Sequence, residues 1–551
     1  IPTYESVYPL TKGITSKLLS RIVKASMAEI PQIPEWQDIP FLNKNTFPPW
    51  REALEKVHFP KDENDVLHRE TYRRRLAYDE LLAAQLSIRL VREKNKREAG
   101  IPLHIDEKAL ERFIQSLPFE LTGAQKKVIG EIKNDLSGNV KMSRLLQGDV
   151  GSGKTLVAVA AMVMGIGAGY QTAIMAPTDI LARQHFGTMQ KLFANRNINV
   201  QLLTGREMGK KRAGLIADLA AGKIDVLVGT HALFVEDVAF QKLGLVVIDE
   251  QHKFGVHQRL ALGQKQKGAH MLAMTATPIP RTLALTTYGD MDISVLDEKP
   301  AGRQPIETKV MPIAKVQELS LKLKDMLAAA KEKTQVYWVC PLIEESEKSD
   351  LMAAEKRYES LKKIFGGKVA LIHGRMKPDQ KEEVMEKFIA GDTDVLVSTT
   401  VIEVGVDVKS ASIMVIEHAE RFGLSGLHQL RGRIGRGNNK STCILLYGAN
   451  LSETAKKRLE IMRASQDGFY IAEEDLKLRG SGEVLGAKQS GFPEYRMADL
   501  SKDSDLLWTA TKDAGMILNA DPKLTAPRGQ ALRLLLYLFQ KDKQLQTINA
   551  G

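Results

Sequence analysis

The stretch Gly148-Asp149-Val150-Gly151-Ser152-Gly153-Lys154-Thr155 limits the folds open to this chain more than any other. It places four residues between Gly148 and Gly153 and follows them with Lys and Thr, the spacing of a phosphate-binding loop. It follows the strand-like run Ser143 to Gln147 and leads into the Ala-rich, helix-like run Leu156 to Met162. Glycines at 148, 151 and 153 let backbone N–H groups turn inward around phosphate oxygens, and the helix N-terminus adds the positive end of its dipole. Lys154 then reaches toward β- and γ-phosphates, and the Thr155 hydroxyl is a ligand for Mg²⁺. Such a loop requires a strand that ends where a helix begins.

The surrounding sequence has the matching rhythm. Strand-like runs recur at Arg144–Gln147, Thr172–Ala176, Val200–Thr204, Val226–Thr230, Leu245–Ile248 and Met271–Thr275, with helical patterns between them. Pro300 to Pro305 reads as a linker, after which the rhythm restarts at Gln335–Val339, Val369–Ile372, Val395–Ser398, Ile413–Ile416 and Thr442–Leu446. The fold class expected is α/β, with two tandem doubly wound parallel-sheet domains and helical extensions at both ends. The divisions expected are 1–115 (helical and linking), 116–300 and 301–450 (the two sheet domains), 451–500 (a helical hairpin and loop) and 501–551 (C-terminal helices).

Prolines break residues 1 to 66 into short pieces, with Trp36 and Trp50 as packing anchors. From Arg69 to Arg97 one long helix is expected, because Tyr78, Leu82, Leu86 and Leu90 recur every four residues. Arg73, Arg74, Arg75, Arg89, Arg92 and Arg97 fall on its other faces, as a solvated basic surface or one that tracks a nucleic-acid strand.

Composition narrows the partners. The 551 residues carry a formal charge of +11, which favours a polyanion without identifying one. No apolar run is long enough to cross a bilayer and no signal-peptide pattern opens the chain, so a cytoplasmic protein is expected. The first residue is Ile, consistent with a trimmed start. Cys340 and Cys443 lie in apolar runs and read as buried thiols, and two cysteines cannot build a cysteine-rich zinc site.

At the end of another apolar strand, Leu245 to Ile248, stand Asp249 and Glu250. Asp249 is placed to hold Mg²⁺ and Glu250 to position a hydrolytic water. With these residues the sequence resembles a superfamily 2 helicase, and further motifs fall in that family's order. Phe119 and Leu121-Thr122-Gly123-Ala124-Gln125 resemble the adenine-reading Q motif, which implies that Gln125 bonds the base. Ala176-Pro177-Thr178 and Gly229-Thr230-His231 resemble the motifs that lie along a nucleic-acid backbone, and Thr275-Ala276-Thr277-Pro278 resembles the coupling motif. In the second domain, Ser398-Thr399-Thr400 with Glu403 to Asp407 resembles motif V, and His428-Gln429-Leu430-Arg431-Gly432-Arg433-Ile434-Gly435-Arg436 resembles motif VI. The resemblance places Gln429 at the nucleotide and makes Arg433 and Arg436 arginine fingers, which reach a phosphate loop on the other domain only across a cleft.

Asp249 to Val256, Asp467-Gly468-Phe469 and Asp475 to Glu483 narrow the resemblance to the RecG family of ATP-dependent translocases that remodel branched DNA. Gly486 to Gly491 is similar to that family's translocation motif, which implies a coupling role for Gln489 and for the helix bearing Arg458 and Arg463. The resemblance implies ATP and Mg²⁺ as cofactors, branched or duplex DNA as the partner with a single-strand-binding protein as a further candidate, no membrane, and a monomer. Local departures are Lys409, Ser481 and Lys488, where Pro, Pro and Arg are usual. The family also carries an N-terminal wedge domain that splits fork arms. This chain begins where that domain would end, so the expectation is a motor whose fork recognition is in question.

Two alternatives compete. A transcription-coupled repair motor shares the translocation motif but needs space for a polymerase-binding module. An ATP-binding scaffold without turnover is opposed by intact Lys154, Asp249, Glu250, Arg433 and Arg436.

Overall fold

A computed structural model describes residues 4, 6–8, 10, 13–96, 99–250, 267–287, 291–300, 304–341, 347–399, 408–437, 440–484 and 495–542. Thr400, the motif V residues Glu403 to Asp407, Gln251 to Val256 and Gln489 lie outside them. The chain forms two compact units, one of residues 98–279 and 292–478, the other of 1–97, 280–291 and 479–551.

The first of these units contains both sheets. Strands β1 (Ser143–Gly148), β2 (Gln171–Met175), β3 (Val200–Leu203), β4 (Val226–Gly229), β5 (Leu243–Ile248), β6 (His270–Thr275) and β7 (Asp292–Leu296) form a seven-stranded sheet in the order β3-β4-β2-β5-β6-β1-β7. Strands β8 (Ile306–Pro312), β9 (Gln335–Val339), β10 (Val369–Ile372), β11 (Val395–Ser398), β12 (Ala411–Ile416) and β13 (Ser441–Tyr447) form a six-stranded sheet in the order β10-β11-β9-β12-β13-β8. Neighbouring strands run parallel in both. Helices cover the faces, so interior strands such as β5 and β12 are buried along their whole length and read as continuous apolar runs.

The edge strands β7 and β8 escape the sequence reading for the converse reason. They are partly exposed, and Asp292, Ser294, Glu307 and Lys309 interrupt any apolar run. Ser294 is nonetheless buried, because Arg144 Nη1 donates to its Oγ at 2.7 Å from the neighbouring β1.

A parallel sheet gathers the carboxyl ends of its strands along one edge, and ligands bind there. The phosphate loop follows β1, Ala176 to Thr178 follow β2, Thr230 follows β4, Asp249 and Glu250 follow β5, and Thr275 closes β6. Residues separated by more than a hundred positions thereby share one rim.

In the other unit the helix Arg69–Lys96 packs with Ser504–Ala520 and Pro527–Leu538 around Trp36, Tyr78, Leu81, Leu82, Leu86, Leu507 and Leu535. The two ends of the chain thus share one core. Trp36 lies 5.5 Å from Trp50 between ring centres. Arg73, Arg74, Arg75 and Arg89 of the long helix form neither a solvated face nor a surface open to a strand, and Arg97 lies outside the described residues. Arg75 is fully buried and pairs with Asp79 and, at 2.7 Å, with Glu35. Arg73 donates to both Asp503 oxygens at 2.8 and 2.7 Å, Arg74 pairs with Asp505, and Arg89 Nη2 donates to Thr511 O at 3.1 Å.

Asp79 also accepts from Trp36 Nε1 at 2.8 Å and from Gln37 Nε2 at 3.2 Å. Asp79→Ala leaves Arg75, Trp36 and Gln37 with unmatched buried donors and is expected to cost about 3 kcal/mol, read as a lower urea midpoint. An unchanged midpoint would show that this buried network does not hold the unit together.

Candidate active site

The phosphate loop has the backbone its glycines require. Gly151 and Gly153 take φ of 77° and 88°, the left-handed region that favours glycine. A Cβ on Gly148 would lie 2.5 Å from Ser152 Oγ, and one on Gly153 only 2.2 Å from Gln125 Nε2. The helix Lys154–Gly167 starts directly behind the loop, with Thr155 partly buried in its first turn.

Lys154 is buried, and its Nζ donates to Gly148 O at 2.7 Å and Asp149 O at 2.8 Å within its own loop. Burial holds its ammonium below the ordinary lysine value, against the pull of the Glu250, Asp249 and Asp149 carboxylates. The Arg436 guanidinium from the second sheet domain adds to the depression, so that charge lies within electrostatic reach of the loop. Lys154, Asp249, Glu250 and Arg436 are therefore brought together.

Asp249 is buried, and its Oδ2 lies 2.7 Å from His185 Nε2. Burial pushes its pKa up, but the His185 hydrogen bond and charge, with Lys154, outweigh that and hold it below the usual carboxylate range. His185 has no place in the sequence reading. A signal for it exists, since it lies seven residues after Thr178, two turns along one face of the helix Asp179–Phe193 that Thr178 caps. Glu250 takes φ of 49°, unusual for a non-glycine residue, and its Oε2 accepts from Ala276 N at 3.2 Å. The hydrolytic motif is thus bonded directly to the coupling motif, where Thr275 Oγ1 and Thr277 Oγ1 lie 2.8 Å apart.

Gln125 is buried with both ends of its amide engaged. Its Oε1 accepts from Thr122 N at 3.0 Å and its Nε2 donates to Ser152 O at 3.0 Å, which braces the loop from outside. Phe119 is 54% exposed on the approach to that helix.

Motif VI sits on the loop. Gln429 is partly buried in the helix Leu424–Arg431, and a Cβ on the following Gly432 would meet Val150 Cβ at 2.9 Å. His428 Nε2 reaches Asp149 Oδ1 at 2.6 Å. Arg433 is buried in the turn after the helix, and Arg436 Nε donates to Gly432 O at 3.4 Å. Arg431 points elsewhere, donating to Met462 O at 2.7 Å and Ser465 O at 2.9 Å.

On the Thr178 side the two sheet domains meet again. Arg206 Nη2 lies 3.1 Å from Asp379 and Arg183 Nε lies 3.6 Å from Glu382. Thr178 Oγ1 caps its helix at Leu181 N, Thr230 is buried, and the Thr399 amide donates to Ile372 O at 3.3 Å. Arg458 is partly buried and Arg463 exposed on the helix Glu453–Ala464.

The donor set fits a nucleoside triphosphate. The Lys154 ammonium lies within a glycine cradle, and the buried Ser152 Oγ has no hydrogen-bond partner among the described residues. Thr155 and Asp249 are the side chains here that would hold a Mg²⁺, an ion that takes one or two protein oxygens beside phosphates and waters. No helix among the described residues is long and apolar enough to cross a membrane.

Comparison with known proteins agrees with this geometry. Residues 122–286 match the DEAD/DEAH box helicase family, 318–438 the helicase conserved C-terminal domain, and 465–549 the C-terminal part of domain 3 of the ATP-dependent DNA helicase RecG. The chain is 44% identical over 533 residues to the ATP-dependent DNA helicase RecG of Haemophilus influenzae, covering 94% of this chain and 76% of that protein. It is 45% identical over 533 residues to the Bacillus subtilis RecG, covering 96% and 77%. A solved structure of RecG bound to a three-way DNA junction superposes with a TM-score of 0.72 at 43% identity, covering 91% of this chain and 65% of that one. The chain thus spans just under two thirds of that solved protein and about three quarters of the two relatives. Over nearly its whole length, then, from the helices before the phosphate loop to those after the hairpin, the chain belongs to the RecG family of ATP-dependent DNA helicases.

Proposed function

We propose that this chain is an ATP-driven translocase on duplex DNA that remodels branched structures in recombination and repair. The observation that carries the reading is the family match across residues 465–549, beyond the two sheet domains that many helicases share. Phosphate loop and arginines come from one chain, which supports action as a monomer.

ATP supplies the phosphoryl group whose transfer to water drives the motor, with Mg²⁺ held by Thr155 and Asp249. Lys154 and the loop amides bind the phosphates, and Glu250 orients the attacking water. Arg433 and Arg436 offset the charge that develops on the transferred group, in a buried site where such charges act strongly. Phe119, Gln125 and Gln429 line the approach for the nucleoside. Thr178, Thr230, Thr399 and Thr400 hold the DNA backbone, and Thr275, Thr277, Arg458, Arg463 and Gln489 couple turnover to movement.

The test is ATP turnover stimulated by single strands, plain duplex and model forks. Duplex and fork are expected to stimulate more than single strands, with the fork strongest. Stimulation by single strands alone would overturn the reading. Gln489→Ala is expected to retain most of the turnover while losing fork remodelling, and a variant that remodels normally would remove Gln489 from the coupling.

A further inference from the structure

The two sheet domains meet a second time near the edge strands β3 and β10. Arg206, just beyond β3, pairs through Nη1 with Glu382, and its Nη2 lies 3.1 Å from Asp379. Arg183 Nε lies 3.6 Å from Glu382 and 2.8 Å from Asp179. Asp379 and Glu382 stand in the first two turns of the helix Pro378–Ala390, which follows β10. Arg183 stands on the helix that Thr178 caps, so the cluster lies on the strand-end rim beside Thr178. The phosphate loop is remote from it, because β1 lies toward the opposite edge of the sheet from β3.

The charges of this cluster do not balance. Glu207 lies 3.9 Å from Arg183, and Asp179 lies 3.6 Å from Arg206. These two acids belong to the same sheet domain as the arginines and already match them in charge. Glu207 is fixed in place, since its Oε2 accepts from Thr204 N at 2.6 Å and from Thr204 Oγ1 at 2.8 Å. Asp379 and Glu382, from the other domain, are therefore surplus negative charge in a chain of formal charge +11. Lys210 and Lys211 are exposed a few residues beyond Arg206, at the start of the helix Gly209–Ala220, and add positive charge to the same side chain run. The Arg183 and Arg206 side chains are each 38% exposed, and ion pairs so open to water are individually weak. Such pairs exchange partners without unfolding either domain. A phosphodiester offers a guanidinium the same pair of oxygens as a carboxylate, and its binding gains further from the counterions it releases.

We propose that Arg183 and Arg206 bind phosphates of the DNA backbone, and that Asp379 and Glu382 occupy these arginines in its absence as a latch between the two sheet domains. The ligand rests on the translocase reading, whereas the latch rests on the ion pairs themselves. DNA that takes the arginines releases the helix Pro378–Ala390, and a latch that closes expels the DNA. By linkage each event opposes the other with the same free energy. Asp379 and Glu382 thereby set how tightly the rim holds DNA without touching it.

The experiment uses the full chain and two readouts. The first is affinity for a labelled duplex, by fluorescence anisotropy over a range of salt. Glu382→Gln is expected to tighten binding about fivefold. Arg206→Ala is expected to weaken it about tenfold and to lower the slope of log affinity against log salt by about one. Glu383→Gln removes the same charge from the same helix, where Glu383 pairs with Lys387 instead, and is expected to leave affinity within about twofold. In a chain already carrying Arg183→Ala and Arg206→Ala, Glu382→Gln is expected to change nothing further. Equal tightening in that background, or from Glu383→Gln, would reduce the effect to net charge and overturn the proposal. The second readout is hydrogen exchange of the helix Pro378–Ala390, expected to quicken when duplex is added to the wild type and, without DNA, in the double arginine variant. Exchange there that ignores the loss of both arginines would overturn the latch whatever the DNA does. A wild type that binds neither duplex nor fork, while the arginine variant still quickens exchange, would instead sink the translocase reading and the phosphate role with it, and leave the latch standing.

Discussion

Lys154→Ala is expected to lower DNA-stimulated ATP turnover by about a thousandfold while the chain stays folded. The ammonium is buried, and among the described residues its hydrogen bonds run to the carbonyls of Gly148 and Asp149 in its own loop. Burial opposes its charge, so its removal relieves a cost of solvation that offsets the cation lost beside Asp249 and Glu250. The melting temperature should therefore move by only a few degrees, or about 1 kcal/mol. What is lost is the cation at the centre of the cradle. Turnover measured over a range of ATP concentrations, beside a thermal melt, checks both halves. Undiminished turnover in a folded variant would remove this loop from the reaction.

Arg436→Ala is expected to reduce kcat by about a thousandfold and to change KM for ATP by no more than about threefold. A guanidinium that arrives from the other sheet domain can act most strongly on charge that develops during transfer. Because a fork of donors differs from a point charge, Arg436→Lys should recover little. A parallel loss of kcat and of ATP affinity would reduce Arg436 to a binding group. The two variants also separate the roles proposed for these residues, phosphate binding for Lys154 and stabilisation of developing charge for Arg436.

Much of this site was legible in the chain because its chemistry depends on local spacing. Gly148, Gly153 and Lys154 are fixed by the geometry of one turn, and Asp249 and Glu250 by the end of one strand. Interior strands were legible for a related reason, since burial on both faces demands an unbroken apolar run. Strands β7 and β8 were not, because Asp292, Ser294, Glu307 and Lys309 break their apolar runs, whereas the edge strands β3 and β10 carry no charged residue and were legible. The arginines of the helix Arg69–Lys96 could be read only in part. Glu70 and Asp79 lie within a turn of Arg73 and Arg75, but Glu35, Asp503 and Asp505 stand far away in sequence, and a charge pattern does not name such a partner.

The same limit explains the residues that sequence reading missed or left without a role. His185 stands 64 positions from the carboxylate it orients, and His428 stands 279 from Asp149. Gly468 has no local reason to be glycine; the reason is the imidazole, proline and carboxylate crowded against it.

By itself, then, the sequence determined that a phosphate-loop pattern, an Asp-Glu pair at a strand end and a pair of arginines exist on two parallel-sheet domains, because each is a pattern of neighbours along the chain. Only the tertiary structure decided that the phosphate loop, motif VI and the hairpin turn meet at Asp149, His428, Arg431 and Gly468. That meeting is set by which strand ends share a rim and how closely two backbones can approach, and no spacing along the chain encodes either.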